Sequence, residues 1–270
     1  MPKTNVLDPQ KKEGNSTMNG SLQSQRFFRE TQDELIKVLL AEVELVDIIP
    51  NLNKFILDYL MQFESEKYID PTAVISEKAT IEGAVYIGSN VKVQDFAYIK
   101  GPAIILNDTI IGKSAFVRDN VILGSNTIIG HSSEVCQSVI LNGTRVAHFN
   151  AVSFSVVGSH VNLSSCAAIA SYLLKTELDD MPTTSYLFDS LQQKVTVNIS
   201  KFGAIIGDRC RLGANVIVNP GVVMEPNCIV YPQISLESKY YNANLQVYIP
   251  GYYAQIVCSK LKEEENEQHV

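Results

Sequence analysis

The chain has 270 residues, 46% of them hydrophobic and 19% charged, with a formal net charge of -7. That length can bury a full core and leave appendages over, and the acidic balance excludes a general nucleic-acid binder, which needs a basic face. The 5 cysteines are scattered without a CxxC spacing, which suggests free thiols in a reducing cytoplasm.

Residues 1–24 are rich in Asn, Ser, Gln, Lys and Gly and are expected to form a disordered tail. The lysines there have no apolar run behind them, so the segment reads as neither a secretory signal nor a membrane anchor. No apolar window along the chain is long enough to span a bilayer. Residues 25–68 read as helical. Thr31 to Glu34 has the pattern of a capping box, followed by Leu35, Val38, Leu39 and Leu40 as an apolar face. Pro50 and Asn51 open a second helix carrying Leu52, Phe55, Ile56, Tyr59 and Leu60 on one side. Both are too short to be stable alone and are expected to pack on the larger segment C-terminal to them.

Residues 69–235 carry a six-residue beat. Every sixth residue from Ile75 to Ala147 is aliphatic, and the residue four further on is small or β-branched at each step except Arg145. The beat resumes at Ile206, Leu212, Val218 and Met224. A period of six with two inward positions fits neither the 3.6-residue helix nor an uninterrupted strand. It fits a hexapeptide β-helix, in which three hexads make one triangular coil and coils stack at about 4.8 Å. The predicted class is therefore an all-β solenoid, a parallel β-helix with a short helical segment before it and a long insertion within it. Cys210 and Cys228 fall on the same inward mark in adjacent coils and read as core packing.

The rhythm fails between residues 153 and 204. A loop of about 172–200 is too long for a turn, should project from one edge of the column, and in a regular solenoid is usually functional. Residues 236–270 read as a C-terminal arm and a charged tail. The beat also leaves two oddities: an arginine, Arg145, on an inward mark, and His148, one of 4 histidines, on an outward one.

The stretches "VRDNVILG", "SSEVCQSVILNGTRVAHFNAVSFSVVGSHVNL" and "KFGAIIGDRCRLGANVIVNPGVV" resemble the left-handed β-helix acyltransferases. The likeness is to the acetyltransferase half of the bifunctional N-acetylglucosamine-1-phosphate uridyltransferase/glucosamine-1-phosphate acetyltransferase, and to the β-helix ends of related sugar-phosphate nucleotidyltransferases. It runs from about Pro71 to Pro232. The resemblance implies a left-handed column, a homotrimer with sites between neighbours, acetyl-CoA as co-substrate, a sugar phosphate as acceptor and no metal. It also implies His148 as general base, Glu134 as its catalytic partner, Arg118 on the phosphate, and Asn162 and Tyr172 on the sugar. Ser165 and Ala204 would lie along coenzyme A.

The chain departs from the family pattern at several of these places. Cys136 stands where the family has a lysine, Ala151 where it has a tyrosine and Ser171 where it has an asparagine. Ser164, Ser165 and Cys166 replace a Gly-Ala-Gly. Lys175 and Lys201 are the candidates to replace the lost cation. A non-catalytic β-helix that binds a sugar phosphate or nucleotide sugar, or serves as a scaffold subunit, is therefore the alternative. A weaker third reading is a zinc site of the carbonic anhydrase-like β-helices, for which His131, His148 and His160 would have to converge. No Gly-rich nucleotide loop is present, so no pyrophosphorylase activity is expected.

Overall fold

The computed structural model describes residues 22–173 and 182–250. The expected tail up to residue 21, Lys175 and the charged C-terminal tail lie outside the described residues. The described chain is a three-sided parallel β-solenoid with three short helices before it, the architecture expected of a left-handed β-helix. Its first and second faces each have nine strands and its third face has eight. All neighbours within a face pair in parallel, coil upon coil, from Lys67–Ile69 to Gln246–Val247.

The inward column is aliphatic throughout. Ile87, Ile105, Leu123, Ile140, Val157, Ile206 and Met224 fill the first face; Ile111, Ile129, Val146, Leu163 and Leu212 fill the second. Each such side chain contributes about 1.5–3 kcal/mol on burial. Polar side chains that enter the column are satisfied by the neighbouring coil. The Thr109 hydroxyl donates to the Gly124 carbonyl (3.0 Å), Thr144 to Gly158 (2.6 Å), and the Asn150 amide to Leu163 (3.1 Å).

The six-residue beat is kept at two corners and broken at the third. From the third face to the first, Val135 leads to Ile140, Val152 to Val157 and Leu236 to Tyr241, steps of five. The long insertion, from Ile169 to Ile206, enters at the same corner. The first short step shifts the register by one, so the aliphatic marks fall on Ile140 and Val146 and not on Leu141 and Ala147, and Asn150 and not Ala151 is the buried residue four further on. Arg145 is thereby exposed on the second face, and Thr144 takes its expected inward place. The last short step, with aromatic Tyr241 in an aliphatic slot, hides a final coil. The solenoid continues beyond residue 235 as far as Val247.

The N-terminal helices α1 (Ser24–Phe27), α2 (Glu34–Glu42) and α3 (Ile48–Leu60) cover the outside of the first face. Ile36, Leu39, Ile49, Leu52 and Ile56 pack with Ile104, Ile122, Val139, Val156, Ile205 and Val223. In α2 the buried side is Ile36, Leu39 and Leu40, while Val38 is exposed. No capping box forms at Thr31. Asp33 holds the N-cap position, and its carboxylate instead accepts from the Ser125 hydroxyl (2.5 Å) and N–H (2.9 Å). The third helix begins two residues before Pro50, a place within its first turn that proline tolerates. The insertion does not simply project: Ser185–Phe188 and Lys194–Val197 form an antiparallel hairpin. Its Leu187 and Val197 join the apolar cluster over the first face. Among the described residues, no helix is long and apolar enough to cross a membrane.

Candidate functional site

With the first face covered, the exposed chemistry lies on the second and third. The third face carries a cavity of about 350 Å³ beside the corner where the insertion leaves and returns. Arg118, Asp119, Glu134, Cys136, Ala151, Ser153, Phe154, Ser171 and Lys201 line it. Three stacked strand ends supply most of these groups. Glu134 pairs in register with Ala151, and Cys136 with Ser153. Lys201 comes from the returning limb of the insertion.

Arg118 donates to Glu134 across 2.6 Å, with its guanidinium 5.8 Å from the Phe116 ring. That hydrogen bond raises the arginine further above its ordinary value. Burial pushes the Cys136 thiol up, against the pull of the Arg118 and Lys201 charges. Cys136 therefore stays a thiol at neutral pH and supplies no charge where the family has a lysine. Lys201 does supply one, and its ammonium lies 6.0 Å from the Tyr172 ring. The Ser153 hydroxyl donates to that of Ser171 at 3.0 Å in the cavity wall.

The structure thus brings together Arg118, Glu134, Lys201 and, at the rim, Tyr172. His148 is not among the residues lining the cavity. It is exposed on the corner between the second and third faces, three residues before Ala151. That is at most about 11 Å of chain. Its ring lies 4.6 Å from that of His131 in the coil below, and His131 meets Phe149 edge-on at 4.6 Å. Phe149 sits at this corner with a positive φ of 53° and is exposed.

Other expected residues lie elsewhere. Asn162 is on the second face, its amide donating to the Ser164 hydroxyl at 3.3 Å. Ser165 stands one coil above His148, where its carbonyl accepts from Asn215. Ala204 is fully buried inside the column. His160 is at the corner between the first and second faces, 3.8 Å from Glu30, so the three described histidines do not converge. Among the described residues, no group of three or more His, Cys, Asp or Glu is placed to hold a metal ion. The cavity's Asp119, Ser153 and Phe154 carry no signal in the sequence; only the short steps at Gln137 and Phe154, both at positive φ, mark that corner as unusual.

Comparison with known proteins adds the lineage. A bifunctional protein GlmU of Methanococcus vannielii is 34% identical over 104 residues, which is 36% of this chain and 23% of that protein. The chain thus matches about a quarter of that relative's length. Among solved structures, the acetyltransferase domain of PglB from Neisseria gonorrhoeae is 20% identical over 36% of this chain and 48% of its own, with a TM-score of 0.35. A mutant perosamine N-acetyltransferase from Caulobacter crescentus, solved with CoA and GDP-perosamine, is 15% identical over 45% of this chain and 67% of its own, with a TM-score of 0.38. The profile of the GMPPB C-terminal domain matches residues 63–122 and 99–198. Together these two matches cover half of the chain, which belongs to the family of the GMPPB C-terminal domain.

Proposed function

We propose that the protein is an acyltransferase of the hexapeptide-repeat type. It transfers an acetyl group from acetyl-CoA to the amine of a sugar phosphate resembling glucosamine-1-phosphate, as a cytoplasmic homotrimer in nucleotide-sugar metabolism. The observation that carries this reading is the third-face cavity: two cations, Arg118 and Lys201, line one pocket whose edge at Ala151 is three residues from an exposed histidine. The guanidinium fork and the ammonium suit a phosphate.

The acceptor amine attacks the thioester carbonyl; the C–N bond forms, the C–S bond breaks and coenzyme A leaves as the thiol. The amine must give up a proton as it attacks, and in this reading His148 takes it. Glu134 fixes Arg118 toward the phosphate. The oxyanion that develops on the carbonyl calls for a backbone N–H along the same edge. The test is release of free thiol from acetyl-CoA against a panel of amino sugars that includes glucosamine-1-phosphate. Turnover should fall at least a hundredfold in His148→Ala with the circular dichroism unchanged. Equal turnover in the two proteins would remove the histidine from the reaction.

A second reading is a β-helix that binds a sugar phosphate or nucleotide sugar without turning it over. It is favoured by the neutral Cys136 and by the pairing of Arg118 with Glu134, which together reduce the free positive charge in the cavity. Under that reading no amine releases thiol, while a sugar phosphate still protects the protein in a thermal-shift titration.

A further inference from the structure

The register correction that turns Arg145 outward also reveals a second cationic surface. On the second face the outward column runs Ile128, Arg145, Asn162, Arg211, Ile229, each residue paired with the next. Two guanidinium side chains therefore stand two strands apart, about 9.6 Å at the backbone, with a carboxamide between them and an isoleucine on either side. Arg145 and Arg211 are both exposed, and among the described residues neither has a carboxylate partner.

The surroundings are poor in negative charge. The five segments that build this part of the face, residues 126–131, 143–148, 160–165, 209–214 and 227–232, contain no Asp or Glu, although the chain carries a net -7. They do contain His131, His148, His160, Arg209 and both column arginines. Glu30 occupies Arg209 and His160 at the far corner, while Asp208 is turned in to accept backbone N–H groups. Beside the arginine column the residues Gly130, Ala147, Ser164 and Gly213 are small, and beyond them rise His131, His148 and Ser165. The result is a shallow trough with Arg145, Asn162 and Arg211 along one side, while on the other His148 stands level with Arg145, Ser165 with Asn162 and Ala214 with Arg211.

We infer that this trough binds a diphosphate ester. Two planar forks on either side of an amide donor match two linked phosphoryl groups better than a single one, because each arginine can hold one phosphoryl group through paired N–H bonds. Small residues on the floor let a chain-like ligand lie against the coils. The inference does not depend on the acyltransferase reading. Two natural sources share this chemistry: coenzyme A and a nucleoside diphosphate sugar.

The test is equilibrium binding at low ionic strength of three probes, inorganic pyrophosphate, coenzyme A and UDP-N-acetylglucosamine, to the full chain. Wild-type protein should bind pyrophosphate, and the affinity should fall as salt is raised. Arg145→Ala and Arg211→Ala should each weaken it at least tenfold, with Arg→Lys at either position in between. Lys92→Ala, in the same outward column but below the trough, should leave it unchanged. Whichever ester loses affinity in parallel names the source: coenzyme A for a donor groove, UDP-N-acetylglucosamine for an acceptor groove. No binding of any probe to the wild type, or unchanged affinity in the double alanine variant, overturns the inference. Binding is read without turnover, so a protein that releases no thiol from acetyl-CoA yet loses pyrophosphate with its arginines sinks the acyltransferase reading alone.

Discussion

Arg118 and Lys201 reach one cavity from distant parts of the chain, and the cavity's charge depends on both. In the proposed reaction, Arg118→Ala should raise the acceptor KM about tenfold to a hundredfold with a smaller change in kcat, since a phosphate contact binds ground and transition states alike. Lys201→Ala should do the same to a lesser degree, because a flexible ammonium makes no paired contact. Steady-state kinetics on glucosamine-1-phosphate separate the two constants. At this scale the sequence was legible where chemistry follows ladder position: Arg118, Glu134 and Cys136 could be placed on neighbouring strands by counting. Arg145 could not, because one short step upstream moved it to the other side of the strand. An arginine in an aliphatic slot was the visible sign of that slip, since an unpaired guanidinium does not enter a dry column.

The helical segment is held by carboxylates rather than by its own caps. Residues 22–33 run along the corner between the first and second faces. Arg29 and Glu30 N–H groups donate to Asp208 (2.7 and 3.0 Å), and Arg26 pairs with Glu225. Glu225 is nearly buried. Burial alone would raise its carboxyl, but hydrogen bonds from Tyr240, the Ala243 N–H (2.8 Å) and Arg26 outweigh it and hold the carboxyl below its ordinary 4.5. A carboxyl lowered in the folded state contributes stability that is present above pH 4.5 and lost as the pH falls through its folded value. Glu225→Gln should therefore cost about 1–3 kcal/mol at pH 7, and the difference from wild type should shrink in denaturant titrations below pH 4.5. The existence of helices here was legible from apolar spacing. Their starts were not, because the Asp33 carboxylate and the Gln32 N–H answer to Ser125 and Asn142, about a hundred residues away in sequence, which no local pattern records.

As a whole the molecule is a column with one clothed face and two bare ones. The six-beat was unmistakable because a dry, close-packed interior accepts only aliphatic and small residues at fixed intervals. The final coil and the packed hairpin were hidden because aromatic residues and a short step interrupt the count. Removing residues 1–62 should leave Ile104, Ile122, Val139, Val156 and Ile205 uncovered on the part of the first face that the hairpin does not reach, a patch larger than soluble monomers normally expose. The truncated protein should keep its β-sheet circular dichroism but bind a hydrophobic dye that the full chain does not, and elute on size exclusion as assemblies larger than that of the full chain.

Two of the three corners hold to six residues from the bottom of the column to the top, while the third absorbs every change of length, from the loss of one residue to the gain of a whole hairpin. That corner acts as a seam. Foreign sequence spliced into it leaves the stacking of the other two edges undisturbed, so passengers can be mounted there, coil by coil, at spacings set by the backbone itself.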